Sequence, residues 1–458
     1  MRRSLVMIMA GGRGSRLGPL TCHRAKPATP FGGRYRIIDF ALSNFVNSGY
    51  RHIYILTQYM ANSLIRHLGR SWHLGGYDEF IEVAPAQMRR GKHWYLGTAD
   101  SVYQNLNLIA DHPTPHVAVF GGDHIYKFAV DRMEDFHVGI GADLTVAAFP
   151  VPRSEAHQFG VIEVDSTGRI VGFQEKPESP TPIPGQPETC LVSMGSYFFR
   201  REVLTRALIA DAEDENSRHD FGGDVIPKLL SAGANVFVYD FGTHRVPGEP
   251  HDAPPYWRDV GTIDSYISAS MELRSPVPTL NLYNREWRIR TSQRSHPPVR
   301  FAGGGPSRLE DSMVCEGSVV FRADVGSSIV GFDCMVRSGA RLERSLLMSG
   351  CEIGEDAQLS GVLADKNCVI ADGARIGLDG DVDRRRFPFI TEGGVIVLPK
   401  GTYVPVSGPI ELARDIGEAF RADAAMGYAL DKVSLPPVVS ARSRHSFRSA
   451  GPGSRGDG

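Results

Sequence analysis

The run Ala10-Gly11-Gly12-Arg13-Gly14-Ser15-Arg16-Leu17, continued by Leu20-Thr21 and Arg24-Ala25-Lys26-Pro27, sets glycines among four cationic side chains. Gly11, Gly12 and Gly14 let backbone N–H groups approach phosphate oxygens, while Arg13, Arg16, Arg24 and Lys26 neutralise the remaining charge. The pattern reads as a cradle for a polyphosphate. A Walker loop would end in Gly-Lys-Ser/Thr, and the dinucleotide fingerprint would put a glycine where Leu17 stands, so neither applies. An ordinary glycine turn with solvated arginines stays open, although the density of basic residues weighs against it. Two aspartates add to the pattern. Asp123 follows the apolar run Val117 to Phe120 through Gly121-Gly122, which places a carboxylate at the carboxyl end of a parallel strand, where α/β sheets bind ligands. Asp259 lies in a second loop just ahead of Gly261. Brought together, the pair suits Mg²⁺, which takes one or two carboxylates plus substrate phosphates; each alone could equally be a turn or helix cap.

Elements able to position these residues are visible as short apolar runs: Leu5 to Met9, Ile53 to Leu56, Val117 to Phe120, Leu144 to Phe149 and Val236 to Tyr239. They alternate with helix-like segments, Ile38 to Asn47 and Ser101 to Ala110, the signature of an α/β domain with a mostly parallel sheet over residues 1–280. From about residue 315 the texture changes. At a period of seventeen, Val319, Val336, Ile353 and Ile370 share a column, as do Val325, Leu342, Leu359 and Ile376, then Ala323, Ala340, Ala357 and Ala374, then Ile329, Leu346 and Leu363. Such self-similarity predicts four coils of a parallel β-helix over 311–405, each burying the same inward positions on its neighbour. Cys334, Cys351 and Cys368 fall in register too, and read as inward-facing small apolar thiols rather than metal ligands. The polar, proline-containing stretch from Arg274 to Pro298 is expected to wrap between the domains, with 281–310 as linker. Residues 406–458 form a C-terminal extension, weakly helical from Ile410 to Met426 and disordered from Ser440 to Gly458.

Composition bounds the function. The 458 residues carry 50 Lys plus Arg against 52 Asp plus Glu, so no global field favours nucleic acid or an anionic membrane. The basic tail residues Arg442, Arg444, Arg448 and Arg455 are too few to reverse this. Six dispersed cysteines form no zinc or redox pair, and the apolar run after Met1-Arg2-Arg3 is too short for a signal peptide. No stretch approaches the roughly 18 apolar residues of a membrane span. A cytoplasmic protein is expected.

The glycine loop with its Lys-Pro is similar to that of the sugar-nucleotide pyrophosphorylases, and the chain resembles above all the bacterial glucose-1-phosphate adenylyltransferases. The resemblance extends through Phe40-Ala41-Leu42-Ser43-Asn44, Pro85-Ala86-Gln87, Trp94-Tyr95, Gly97-Thr98-Ala99-Asp100, Gly122-Asp123-His124-Ile125-Tyr126, Phe173-Gln174-Glu175-Lys176-Pro177, Ser193-Met194-Gly195, His219-Asp220-Phe221-Gly222 and Tyr256-Trp257-Arg258-Asp259-Val260-Gly261-Thr262, in order over roughly the first 400 residues. It implies a nucleotidyltransferase domain followed by a left-handed β-helix, with ATP and glucose 1-phosphate as substrates and Mg²⁺ as cofactor. It further implies that Asp123 and Asp259 bind the metal and that Arg16 and Lys26 contact the triphosphate. Glu175 and Lys176 then bind the sugar phosphate; Ser193, Asp220 and Phe221 line the sugar site; Gln87 and Tyr95 lie by the adenine and its ribose; Gly160 is a further substrate-binding residue. His124 is expected to be structural or orienting. A homotetramer regulated by a sugar phosphate is implied, with Arg24, Arg36 and Arg385 as candidate effector contacts. His23 and Pro30 depart from the Lys and His of enterobacterial members, which puts the effector's identity in question. The alternatives are another sugar-1-phosphate nucleotidyltransferase and a non-catalytic regulatory homologue; the presence of Arg16, Lys26, Asp123, Lys176 and Asp259 favours catalysis.

Overall fold

Leu5–Met9, five apolar residues in succession, is a strand with parallel neighbours on both sides, and such a strand must be apolar on both faces. This strand, β1, is followed by β2 (His52–Thr57), β3 (Phe80–Pro85), β4 (His116–Gly121), β5 (His124–Tyr126), β6 (Leu144–Pro152), β7 (Gly160–Val164), β8 (Ile170–Glu175), β9 (Thr189–Arg200), β10 (Val236–Asp240) and β11 (Trp257–Asp259). The computed structural model describes residues 4–418 apart from Arg90 and Arg294, and the chain forms two units, one mainly up to Pro297 and the other mainly from Pro298.

In the first unit β3, β2, β1 and β4 run parallel, in that spatial order. The sheet is mixed rather than mostly parallel beyond β4, because the long strand β9 pairs antiparallel with β4, β6 and β7, and β7 with β8. The β9 register breaks between Ser193 and Tyr197, where Gly195 takes φ +64°. That break lets one strand serve two directions of the sheet. Helix α1 (Ile37–Asn47) matches its expected span, whereas the expected helix 101–110 is two short pieces, α2 (Thr98–Tyr103) and α3 (Leu106–Ala110).

The stretch expected as linker divides. Its first part is strapped to α1: the Trp287 indole N–H donates to Asn44 Oδ1 (3.1 Å), Arg290 N–H to Ser43 Oγ (2.8 Å), and Thr291 Oγ1 to the buried Asp39 carboxylate (2.6 Å). From Arg300 the chain is already in the coil stack, whose three sheets hold six, five and five parallel strands. More coils are present than the four expected, because Gly303-Gly304-Gly305 and the helix Gly380–Arg386 interrupt the seventeen-residue spacing at either end. Val325, Leu342, Leu359 and Ile376 do stack in register and are buried. In the other column the residue aligned with Val336 is Val320, not Val319, since that first repeat is one residue shorter. All six cysteines are free thiols, and Cys334, Cys351 and Cys368 are buried. A helical turn begins at Arg414; the remainder of the expected stripe and the tail lie outside the described residues.

Acid should loosen the first unit. His244 is buried, accepting the Ala129 N–H at Nε2 (2.9 Å) with its Nδ1 on the Tyr239 hydroxyl (2.9 Å). Burial first, then Arg132 and Arg245, push its pKa from 6.5 down to about 3. The unfolded chain therefore binds the proton more readily, so this contribution is complete above pH ~6.5 and is lost as pH falls toward ~3. The urea midpoint of the wild type is expected to fall over that window, and to fall less steeply in His244→Gln.

Candidate active site

Directly after β1 the backbone is pinned by Ala10 N–H to the Leu56 carbonyl (2.8 Å), and turns back through Gly14 at φ +68°. A Cβ on Gly14 would stand 2.8 Å from that of Lys26, so glycine is required both by conformation and by the close passage of the Lys26 segment. Thr21 Oγ1 ties the two limbs by donating to the Gly14 carbonyl (3.0 Å). Arg13 stacks 5.1 Å over the Tyr59 ring. The loop forms one wall of a cleft of about 470 Å³ whose other walls include Lys26, Gln58, Tyr95, Thr98 and Asp123.

Both carboxylates reach this cleft. Gly122 passes so close to Ile8 and Ile38 that any Cβ would collide at 2.9 and 2.7 Å, and its N–H donates to the Met9 carbonyl (2.9 Å). Asp123 thereby leaves the carboxyl edge of β4 at a fixed point. Asp259 arrives by β11, which pairs antiparallel with β5 and sets Asp259 opposite His124. Lys26 Nζ lies between them, 2.9 Å from Asp123 Oδ2 and 2.8 Å from Asp259 Oδ1. The lysine expected on the triphosphate thus bridges the aspartate pair and offsets one of its two charges. Burial alone would lower the Lys26 ammonium and raise the Asp123 carboxyl; the ion pairs outweigh burial in each case, so Lys26 is raised and Asp123, also facing His124, sits well below the usual carboxylate range. Arg16, largely exposed, approaches Asp259 at 3.9 Å. Ligand atoms of Asp123, His124 and Asp259 lie within 4.8 Å of one another. Two hard carboxylate oxygens fit a divalent cation of the Mg²⁺ type. His124 Nδ1 is buried without a hydrogen bond, and the ring stands edge-on to Trp257 at 5.3 Å.

The residues expected at the sugar site include a second group. Glu175 ends β8 opposite Gly160, where a Cβ would lie 3.0 Å from Glu175 Oε2 and 2.5 Å from the Phe173 ring. Lys176, at φ +47°, pairs with Glu175. A Cβ on Gly222 would meet the same Glu175 oxygen at 2.6 Å, so the Asp220-Phe221-Gly222 turn closes on Glu175. Asp220 accepts from Gly223 N–H (2.8 Å) and from Thr98 Oγ1 (2.8 Å). Ser193 Oγ accepts the Gly195 N–H (3.2 Å) at the β9 break.

Gln87 departs from expectation: it is exposed, hydrogen-bonded to Arg89 (3.2 Å), and does not line the cleft. The sequence reading missed Gln58, which follows β2 at the same sheet edge as Asp123 and clamps the Tyr95 backbone through Tyr95 N–H to Oε1 (2.6 Å) and Nε2 to Tyr95 carbonyl (3.3 Å). Its signal was position alone, one residue beyond a parallel strand's carboxyl end. Gly97 and Thr98 stood inside a matching segment without a role. Among the candidate effector contacts, Arg24 is 6% exposed, and Arg36 donates to the Ser63 carbonyl (3.0 Å), so both are engaged within the fold. Arg385 is exposed on the helix Gly380–Arg386, but its neighbour Arg386 is a buried strut that donates to the Gly408 (2.8 Å) and Arg375 (3.2 Å) carbonyls. The arginine run is therefore not a free basic loop.

Residues 5–275 match the nucleotidyl transferase family, and residues 297–398 match the GlmU-like, C-terminal hexapeptide family. Glucose-1-phosphate adenylyltransferase 1 of Vibrio vulnificus is 48% identical over 403 residues, spanning 87% of this chain and 98% of its own length. The glucose-1-phosphate adenylyltransferase of Thermus thermophilus is 49% identical over 407 residues with the same coverage, and that of Deinococcus radiodurans 45% identical over 408. A glycine-walled cleft with paired aspartates, a coil-stack second unit and nearly half of all residues in common place this chain in the glucose-1-phosphate adenylyltransferase family of nucleotidyl transferases.

Proposed function

We propose that the chain converts ATP and α-D-glucose 1-phosphate to ADP-glucose and pyrophosphate, and so supplies the glucosyl donor for glycogen or another α-glucan. The observation that carries this reading is the meeting of Lys26, Asp123 and Asp259 at the mouth of the glycine-walled cleft, with the Glu175 group as a second polar site. A phosphate oxygen of glucose 1-phosphate attacks the α-phosphorus of ATP; the new P–O bond forms as the bond to the bridging oxygen breaks, and pyrophosphate leaves with that electron pair. No general base is required, since a sugar phosphate with a second pKa of about 6 is already largely ionised at neutral pH. The protein's share is positioning and charge neutralisation. Arg16 and Lys26 hold the departing phosphates, Lys176 pairs with the sugar phosphate, Glu175 and Asp220 accept hydrogen bonds from sugar hydroxyls, and Ser193 donates or accepts, with Gly160 and Phe221 shaping the floor. Asp123 and Asp259 would hold Mg²⁺, which when bound supplies further neutralisation of phosphate charge.

Incubation with Mg²⁺, ATP and glucose 1-phosphate should yield ADP-glucose, with UTP, GTP and dTTP turned over far more slowly. Product from another nucleotide, or none from any, would replace this reading. Tyr95 stands by the base in this scheme and Gln58 fixes its backbone, so Gln58→Leu, which cannot make either hydrogen bond, should raise the KM for ATP by about tenfold, the equivalent of roughly 1.4 kcal/mol, with kcat changed less. Steady-state kinetics at saturating glucose 1-phosphate measure it.

The wider setting is also our proposal: a cytoplasmic homotetramer modulated by a sugar phosphate. Free cysteines throughout and a balanced charge support the location, and no helix among the described residues is long and apolar enough to cross a membrane. With Arg24 and Arg36 engaged, Arg385 is the effector contact best supported by its exposure. Activation assays with several sugar phosphates, and sedimentation of the purified chain, test these two points.

A further inference from the structure

His219 is neither a substrate contact nor a metal ligand in the scheme above, yet it occupies a left-handed backbone conformation, φ +57°, that residues other than glycine adopt infrequently. Its side chain is held by Asp211 on the helix Arg201–Glu213, whose Oδ2 accepts the His219 Nδ1–H at 2.9 Å. Both side chains are nearly buried. Asp211 Oδ1 is itself fixed by Ser217 Oγ (2.6 Å) and Lys228 Nζ (3.1 Å). Burial acts to raise the Asp211 carboxyl, but the hydrogen bonds from Ser217, His219 and Lys228 prevail and hold it below the usual range, so the clamp keeps its charge.

What the clamp presents is a backbone. The His219 carbonyl accepts the Ala99 N–H at 2.8 Å, in the first turn of α2, and passes so close to Gly97 that a Cβ there would lie 2.2 Å away. One residue later, Asp220 accepts from Thr98 Oγ1 (2.8 Å), and Phe221 N–H donates to the same hydroxyl (3.0 Å). Gly97 and Thr98 line the nucleotide cleft, while the turn 220–222 closes on Glu175. A continuous chain of contacts therefore runs from Asp211 through His219 to both groups of site residues.

We propose that His219, clamped by Asp211, is a positioning residue that locks the wall of the nucleotide cleft to the sugar-side turn, so that the two substrates are registered by one rigid piece of backbone; this rests on the adenylyltransferase reading. In-line attack tolerates little error, since a misplacement on the order of 1 Å costs about 10²-fold in rate elsewhere. Loosening this joint degrades registration of both substrates without removing any group that touches either.

The test uses the full-length enzyme with His219→Ala, His219→Asn, Thr98→Val and the double variant. Asn tolerates the left-handed region and retains a donor that can face Asp211, so it should restore most of the activity. His219→Ala is expected to lower kcat/KM for both substrates by roughly tenfold or more, as a registration error should. Because Thr98 is hydrogen-bonded to Asp220 and Phe221, the two residues directly after His219, both changes loosen one joint, and the double variant should lose less than the product of the two single losses. Losses that multiply, a defect confined to one substrate, or wild-type kinetics in His219→Ala would each overturn the coupling. Should His219→Ala fail to fold, Asp211→Asn, which preserves side-chain volume, replaces it in the same cycle with the same expectations. Failure of the wild type to form ADP-glucose would instead overturn the assigned reaction, so the two outcomes are separate.

Discussion

Replacing Asp123 by Asn should cut turnover by about 10²–10³-fold while leaving the fold intact, the scale seen when one preorganised charge contact is removed from a transition state. Asparagine keeps the shape of the side chain, so the turn after β4, fixed by Gly122 against Ile8 and Ile38, has no steric reason to move. What changes is charge. Asp123 and Asp259 share the Lys26 ammonium, with Nζ at 2.9 and 2.8 Å, and the carboxylate of Asp123 is held ionised by it. In Asp123→Asn one anion remains opposite one cation, and the trio loses the net negative charge that would attract a divalent ion. Two measurements follow: kcat with saturating substrates across a Mg²⁺ titration, and the affinity for Mn²⁺ as a metal probe in the absence of nucleotide. Turnover should fall by the stated factor with a higher Mg²⁺ requirement, and Mn²⁺ binding should weaken in parallel. Unaltered kcat would remove the carboxylate pair from the mechanism; lost kcat with unaltered Mn²⁺ affinity would remove Asp123 from the metal while leaving it in the chemistry.

How much of this site could be read from residue order depended on range. The glycine loop is local, and its place directly after β1 is legible from its spacing. Asp123 was legible for the same reason, since an apolar run ending in glycines marks a strand's carboxyl edge. The meeting of Asp123 with Asp259 is not legible in the sequence, because it depends on the short antiparallel pair β5–β11, whose strands are three residues each and too brief to show periodicity. Lys26 was assigned to phosphate by its neighbours in sequence, yet its nearest partners in space lie 97 and 233 residues away. The sheet shows the same limit. Strands β1, β2, β4, β6 and β10 contain short, mainly apolar runs, whereas β9 is interrupted by Ser193, Gly195 and Ser196, and its antiparallel insertion makes the sheet mixed. In the coil stack, repetition revealed the architecture, and small changes in repeat length concealed the register at its start.

Gly97→Ala should be the most damaging single-methyl change in the cleft. Glycine is not needed there for backbone freedom, since φ is −159°, an extended value open to any residue. It is needed for space: the added Cβ would lie 2.2 Å from the His219 carbonyl oxygen and 2.5 Å from that of Arg218. These are backbone atoms, and no rotamer change relieves the clash; either α2 or the 218–221 segment must move. Overpacking of this kind costs about 1–3 kcal/mol. Movement on either side also stretches the Ala99 N–H to His219 carbonyl bond of 2.8 Å and the Thr98–Asp220 bond of the same length, so the cleft wall and the sugar-side turn separate together. The expected result is a lower urea midpoint accompanied by at least a tenfold loss in kcat/KM. Gly69→Ala supplies the contrast, because it lies inside the helix Asn62–Ser71 with nothing within 4 Å of its new Cβ, and alanine there should stabilise by roughly 0.5–1 kcal/mol without altering kinetics. If both substitutions left stability and kcat/KM unchanged, the close passage of the two backbones at Gly97 would not be a constraint of the working enzyme. If Gly97→Ala lost stability alone, the contact would serve the fold but not the alignment of substrates.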